Sequence, residues 1–282
     1  MKNFLGVFFC IVCVISCQKN LDITAETINI DLLKSKERKD SSKSIIEKSE
    51  SESEVQNNDS KNELMSLSNG LVAYYPFSGN ANDASGNGKN GTILDGTTLT
   101  TDRFQNSNSA YNIDGINCST PKGISLPYLI DNTISYSISI WFQSIDSTKA
   151  YQCILNSSPH TYLTCSINYS NNTSMTSYYG NSVVGWVPAC QYNYWPFKNQ
   201  ENWHNLIISK SYSAFNYYLD GNLSKNEPVN PTINIGKFNL VLGAISVIGG
   251  WNCYETFKGK IDDVRIYNRI ITQSEITYLA AH

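Results

Sequence analysis

Residues 175–203 concentrate the side chains best suited to holding a sugar ring. The segment reads MTSYYGNSVVGWVPACQYNYWPFKNQENW and contains Tyr178, Tyr179, Trp186, Tyr192, Tyr194, Trp195 and Phe197. Indole and phenol faces offer flat apolar area with few rotors to freeze, and the interspersed Asn and Gln can bond hydroxyls. Pro188, Pro196 and the Gly and Asn positions interrupt regular strand, so the expectation is an elaborated loop presenting an exposed aromatic platform. Trp186 and Trp195 lead it, and Trp251 approaches from a later loop. The alternative is that these rings form a small core beneath the loop. A second cluster, Asn80–Asn90 (NANDASGNGKN), is rich in carboxylate, amide and backbone oxygens. Such donors suit Ca²⁺, which takes six to eight of them. Its Asn and Gly content equally suits a tight loop clamped by hydrogen bonds.

The cysteines and histidines carry less. Cys118, Cys153, Cys165, Cys190 and Cys253 follow the N-terminal region, an odd number that leaves one over. Cys153 and Cys165 lie in the strand-like stretches YQCILN and YLTCSIN, and a hairpin centred on Pro159 would pair them. Cys190 and Cys253 form the second expected pair. No Cys-x-x-Cys or Cys/His cluster suggests a metal. Among the histidines, His204 follows Trp203 at the start of a strand and reads as core packing, whereas His160 stands in a turn after Pro159 and the third is His282. Glutamates are rare beyond residue 69: Glu201, Glu227, Glu255 and Glu275. Asp262 and Asp263 are adjacent, so on a regular strand they point to opposite faces and cannot act as a facing pair. The chain is read as a non-enzyme.

These groups need a β framework to place them. Ser137–Phe142 puts Ile138, Ile140 and Phe142 on one face, and Phe215, Tyr217 and Leu219 alternate before Asp220-Gly221, a strong hairpin signal. Strand-like segments recur from Gly70 almost to the end, with turn residues every eight to twelve positions, as in an all-β sandwich or barrel. Thr272-Gln273-Ser274-Glu275 has the spacing of a capping box, predicting a short helix over 273–280.

The N-terminus has a different character. Lys2 precedes 13 apolar residues, Phe4–Ser16, too few for a roughly 30 Å hydrocarbon core. They fit a signal-peptide core. Val14-Ile15-Ser16-Cys17 resembles the bacterial lipobox, which implies cleavage before Cys17 and its acylation. Residues 1–16 are thus read as signal and 17–68 as a polar tether. Lys and Arg number 21 and Asp and Glu 24, and residues 31–64 hold 16 of these with no aromatic residue. Such a segment buries too little to offset the entropy of ordering. The net charge of −3 gives no case for nucleic acid.

Two longer motifs resemble a known family. Gly70–Thr92 (GLVAYYPFSGNANDASGNGKNGT) and Gly259–Leu279 (GKIDDVRIYNRIITQSEITYL) resemble the opening and closing motifs of LamG-like jelly-roll domains of bacterial surface proteins. Those domains belong to the concanavalin A-like lectin/glucanase superfamily. SISIWF, Trp203-His204 and Tyr218-Leu219-Asp220-Gly221 stand between the motifs in the expected order. The resemblance implies two antiparallel sheets packed face to face over residues 69–282, with the chain ends meeting. It also implies a structural Ca²⁺ near those ends, with Asp83 and Asp262 as carboxylates and Asn82, Asn87 and Asn90 as further donors. Glycosidases of the superfamily carry Glu-x-Asp-x-x-Glu, which residues 70–282 lack. The reading is an all-β, two-sheet antiparallel jelly-roll sandwich with a short C-terminal helix. It is a non-catalytic module that binds carbohydrate, or else a surface protein, held at the outer membrane only by its lipid anchor.

Overall fold

The computed structural model describes residues 66–115, 122–131, 134–147, 151–158, 163–169, 174–179, 191–199, 201–229, 237–247, 250–252 and 256–282. The signal segment, Cys17 and nearly all of the expected tether lie outside these residues. Ser66 and Leu67 do not: Leu67 is buried against Tyr267, Ile276 and Leu279, so an apolar residue assigned to the tether belongs to the fold.

Among the described residues, seventeen strands and one helix follow in order. They are β1 Leu71–Tyr75, β2 Thr92–Ile93, β3 Thr97–Thr100, β4 Ala110–Ile113, β5 Ile124–Asp131 and β6 Tyr136–Ser144. Next come β7 Tyr151–Ser158, β8 Leu163–Asn168, β9 Ser174–Tyr179, β10 Gln191–Pro196, β11 His204–Lys210 and β12 Ala214–Leu219. The last are β13 Asn222–Pro228, β14 Lys237–Leu242, β15 Ile245–Val247, β16 Gly250–Asn252 and β17 Gly259–Tyr267, then helix α1 Gln273–Ala281. Sheet 1 runs β13-β12-β11-β6-β17-β4-β3, with β1 also on β17; sheet 2 runs β10-β9-β8-β7-β14-β5-β2. β15 and β16 form a separate hairpin. The result is the expected two-sheet antiparallel jelly-roll sandwich.

Alternation explains the core. Ile138, Ile140 and Phe142 of β6, Leu206 and Ile208 of β11, and Phe215 and Tyr217 of β12 come from sheet 1. They pack in one cluster with Leu163, Cys165 and Ile167 of β8, Met175 of β9 and Leu240 and Leu242 of β14. Each buried aliphatic or aromatic side chain contributes about 1.5–3 kcal/mol. Asp220 and Gly221 both have positive φ, 50° and 79°, which matches a tight turn to the strand twist of the β12–β13 hairpin.

Helix α1 starts as its capping box predicts. Thr272 Oγ1 accepts from the Glu275 backbone N–H, and Glu275 accepts from that of Thr272 at 2.7 Å. The fully buried Glu275 carboxylate also takes two bonds from Arg269, at 2.6 and 2.8 Å, and one from the Ser66 hydroxyl at 2.6 Å. These bonds outweigh burial and lower its pKa to about 2. The helix thereby clasps the outward face of sheet 1, with Ile276 and Leu279 on Ile207 and Tyr267.

Candidate functional site

The aromatic segment is built on strands, not on one irregular loop. β9 and β10 pair at the edge of sheet 2, with Gln191 opposite Tyr179, Tyr192 opposite Tyr178, Tyr194 opposite Thr176 and Trp195 opposite Met175. Tyr and Trp favour pleated, half-buried surfaces, and the propensity of QYNYW prevails over its flanking prolines. Trp186, in the connection between the two strands, lies outside the described residues.

Trp195 is corrected from platform to core. It is 3% exposed, and its ring centroid is 4.7 Å from that of Tyr217 across the sandwich. Its register beside Met175 sets this, because every second residue of a sheet faces inward. The indole Nε1–H has no hydrogen-bond partner. Phe197 is likewise buried, in edge contact with His204. Trp251 stands on β16 opposite Ser246.

The other rows of sheet 2 are polar. On β8, Thr164, Ser166 and Asn168 alternate with the core residues Leu163, Cys165 and Ile167, and they are buried although they face away from that core. Thr164 donates to Asn156 Oδ1 at 2.9 Å, and Asn156 Nδ2 donates to the Ser157 carbonyl at 2.7 Å. Thr176 Oγ1 donates to the Ser166 carbonyl at 3.3 Å. In register, one row runs Tyr192, Tyr178, Thr164, Asn156 and Val241, and the next runs Tyr194, Thr176, Ser166 and Cys153. The sequence offered these tyrosines but not the polar partners, because only the register across four strands assembles the rows.

The Asn80–Asn90 loop is knotted around Asp83. Asp83 Oδ1 accepts from the backbone N–H of Tyr74 at 3.0 Å and of Ser85 at 2.8 Å, and Oδ2 accepts from that of Lys89 at 2.9 Å. Burial would raise its pKa, but these bonds dominate and hold it below the usual range. Asn90 Oδ1 accepts from the Asp83 N–H, and Asn87 Nδ2 donates to the carbonyls of Leu71 and Val72. The Asn82 N–H donates to Asn80 Oδ1.

Asp262 belongs to a different constellation. Its carboxylate lies 2.5 Å from Arg103 Nη1, and Asp263 lies 3.1 Å from Nη2. The neighbouring acids were expected on opposite faces. A bulge in β17 between Asp262 and Arg265, with Asp263 at φ +43°, turns both onto one guanidinium. Arg103 also sits over the Phe104 and Trp141 rings, at 4.5 and 4.6 Å, and donates to the His282 carbonyl. Burial pushes the Asp262 carboxyl up to about 7 against the pull of Arg103. Among the described residues no three His, Cys, Asp or Glu gather as metal ligands. The assigned donors therefore do not fit a Ca²⁺ ion. Backbone amides occupy Asp83, and an arginine occupies Asp262.

Two further sites resolve as structural. His204 Nδ1 bonds Asp220 at 2.7 Å and Nε2 bonds the Asn199 carbonyl at 2.8 Å, so both ring nitrogens are committed. The expected Cys153–Cys165 disulfide is not formed. Cys165 stands opposite Leu155 on the core side, and Cys153 opposite Ser166 in the outward row. The hairpin register is displaced from a Pro159 centre, and a bulge between Cys153 and Leu155 displaces it again. Burial pushes the Cys165 thiol up to about 12. Cys118, Cys190 and Cys253 lie outside the described residues, and so does His160.

The two-layer antiparallel jelly roll defines the class of this chain, and the family comparison agrees with it. The family model Laminin_G_3, of the concanavalin A-like lectin/glucanases superfamily, matches residues 119–277, and the chain belongs to that family. No curated protein sequence matches it. Among solved structures, the binding domain of botulinum neurotoxin DC in complex with SialylT is similar at TM-score 0.59 and 13% identity, over 76% of this chain and 52% of that one. The serotype D ligand-binding domain in complex with N-acetylneuraminic acid is similar at 0.59 and 14%, over 78% and 52%. The neurotoxin DC domain in complex with rat synaptotagmin II gives 0.58 and 13%, over 76% and 52%. This chain spans about half the length of these structures, and at such identity the likeness shows the fold alone.

Proposed function

We propose that the chain is a non-catalytic glycan-binding module of the cell envelope, using the outward face of sheet 2 at its β9–β10 edge. One observation carries this reading. At the edge of the sheet half-buried Thr176 stands in register beside Tyr194, and Tyr178 beside Tyr192, backed by the buried, mutually bonded Thr164 and Asn156. Hydroxyls and amides match sugar hydroxyls as donors and acceptors, and tyrosine offers stacking area at low entropic cost. Membership of a lectin-containing superfamily and the neighbours solved with sugars support the same chemistry. The carboxylates Asp83, Asp262 and Glu275 are each committed to backbone, arginine or cap contacts, which suits binding rather than hydrolysis.

The lipobox-like Val14–Cys17 supports anchoring by acylated Cys17 at the outer membrane, with residues 17–65 as tether. The test uses the full chain on a glycan array. Tyr178→Ala and Tyr192→Ala are expected to remove capture while each variant still melts cooperatively as a folded protein. Full capture by both variants removes this face from the reading. Release of Cys17→Ser from membranes tests the anchor, and retention refutes it.

A further inference from the structure

The chain enters the sandwich at one end of sheet 1, and three exposed apolar side chains stand at that same end. β1 starts at Leu71 opposite Tyr267, the last residue of β17, and Tyr267 also stands opposite Ser137 near the start of β6. Tyr136, the first residue of β6, stands opposite Lys210, the last of β11. Ile134, Tyr212 and Ile270 lie just beyond these strand ends and are 38, 75 and 40% exposed. Arg269 pins the entering chain there. It donates to the carbonyls of Ser66 and Asn69, at 3.1 and 2.7 Å, and to the Glu275 carboxylate. The surrounding segments 132–137, 211–213 and 268–274 contain no Asp or Glu, and Arg269 is their one charged residue.

We infer that this end of sheet 1 rests on the lipid surface to which the chain is anchored, with Ile134, Tyr212 and Ile270 entering the headgroup region. The inference rests on the acylation of Cys17 read above. Residues 18–65 join Cys17 to the pinned entry, so the end that carries Ser66 is the one the connection reaches over the shortest span. Covalent attachment makes contact with the bilayer an intramolecular event, and a small patch then suffices where it would fail for a free domain. Tyrosine suits the interface, with its ring among acyl chains and its hydroxyl in water, and isoleucine gains by leaving water. Carboxylates would resist desolvation and anionic headgroups, and these segments carry none. Ile145 and Leu223 are also exposed, but Ile145 follows the far end of β6 and Leu223 follows the Asp220-Gly221 turn beside it. They face away from the bilayer in this arrangement and serve as controls.

The test reconstitutes the full acylated chain in vesicles of phosphatidylethanolamine and phosphatidylglycerol and follows backbone hydrogen exchange. The acyl-free Cys17→Ser chain in buffer is the reference. Peptides containing Ile134, Tyr212 and Ile270 are expected to exchange several-fold more slowly on the vesicle, and the peptide containing Leu223 at an unchanged rate. The combined Ile134→Ser, Tyr212→Ser and Ile270→Ser chain should lose that protection while still acylated and still melting cooperatively, whereas Ile145→Ser with Leu223→Ser should keep it. Equal exchange of the three peptides on and off the vesicle, in a chain whose acylation is verified by mass, overturns the docking and leaves the anchor standing. A chain that carries no acyl group overturns both. Protection that grows with protein concentration in the absence of lipid assigns the patch to a second copy of the chain and overturns the bilayer as its occupant.

Discussion

Sheet 1 and sheet 2 share a core, and among the described residues their outward faces differ in one respect: sheet 1 carries a buried cluster of ion pairs. On sheet 1 the outward face carries, beside the neutral Ser137, Ser139, Asn205 and Ser209, an ion-pair cluster of Asp262, Asp263 and Arg265 held with Arg103, and it is covered at one end by helix α1 through Arg269 and Glu275. On sheet 2 the described outward residues are Thr, Ser and Asn, bonded to one another by neutral groups. An ion pair stripped of solvent has one stable arrangement and loses much when a partner goes, so it suits a clasp. Buried neutral pairs such as Thr164–Asn156 cost less to strip of solvent than charges, so they suit a rigid backing for the sheet edge beside them. The sandwich thus separates the face that fastens the chain from the edge proposed for recognition.

The largest effect should come from opening the clasp. Arg269→Ala leaves the fully buried Glu275 without its cation, which typically costs about 3–5 kcal/mol. For a domain of this size that lowers the melting temperature by roughly 6–20 °C. The clasp also has a sign with pH. Glu275 titrates at about 2 when folded against 4.5 for an unperturbed glutamate, so its contribution is complete above 4.5 and disappears as pH falls towards 2. By linkage that is about 3 kcal/mol. Glu275→Gln should flatten this acid limb, and an unchanged acid melt would show that the clasp is not what fastens sheet 1.

Trp195 sharpens the comparison from the sheet 2 side, since it shares β10 with the tyrosines yet faces the core. Trp195→Ala should cost about 3–5 kcal/mol through the cavity it leaves. Trp195→Phe should recover most of the loss, because the indole N–H it deletes has no partner. A small effect of Trp195→Ala on melting would return the indole to the platform.

That residue shows where sequence reasoning ends. Alternation in SISIWF, the Asp220-Gly221 turn and the Thr272–Glu275 cap are each written within a few residues, and all three form as their local chemistry dictates. Trp195, Cys153 and Asp263 depend on register. One residue of slip or one bulge exchanges the faces of a strand, and neither bulge, at Cys153/Leu155 or Asp262/Arg265, has a glycine or proline to announce it. The partner of Asp262 was equally hidden. Arg103 lies 159 residues away, and its pairing follows from which loop the finished sheet brings alongside.

Arg103 supplies the next smaller effect. If a guanidinium and backbone amides hold the carboxylates of Asp262 and Asp83, chelation should leave the melting temperature unchanged, and added Ca²⁺ should not raise it. Arg103→Met should lower stability at neutral pH, and less so in mild acid, where Asp262 protonates readily. A melting temperature that rises with Ca²⁺ in the unmodified chain would restore the metal and break the contrast at its charged side.

The smallest effect belongs to His204, a titrating group beside sheet 1 with no counterpart in the described rows of sheet 2. Burial works against its charge, but the bonds to Asp220 and the Asn199 carbonyl prevail, so its folded pKa stands above the ordinary 6.5. Protonation is therefore favoured in the folded state. The contribution is fully present below 6.5 and is lost as pH rises through the folded value, the reverse of Glu275. Asp220 is substantially exposed, so solvent weakens the pair and the effect should be slight. Melting temperature measured from pH 5 to 9 should decline gently through this window, and His204→Gln should remove the decline. Glycan binding at the sheet 2 edge should stay level across the same range. A binding curve that tracked the His204 titration would mean that the two faces are coupled, and the division of labour between them would have to be abandoned.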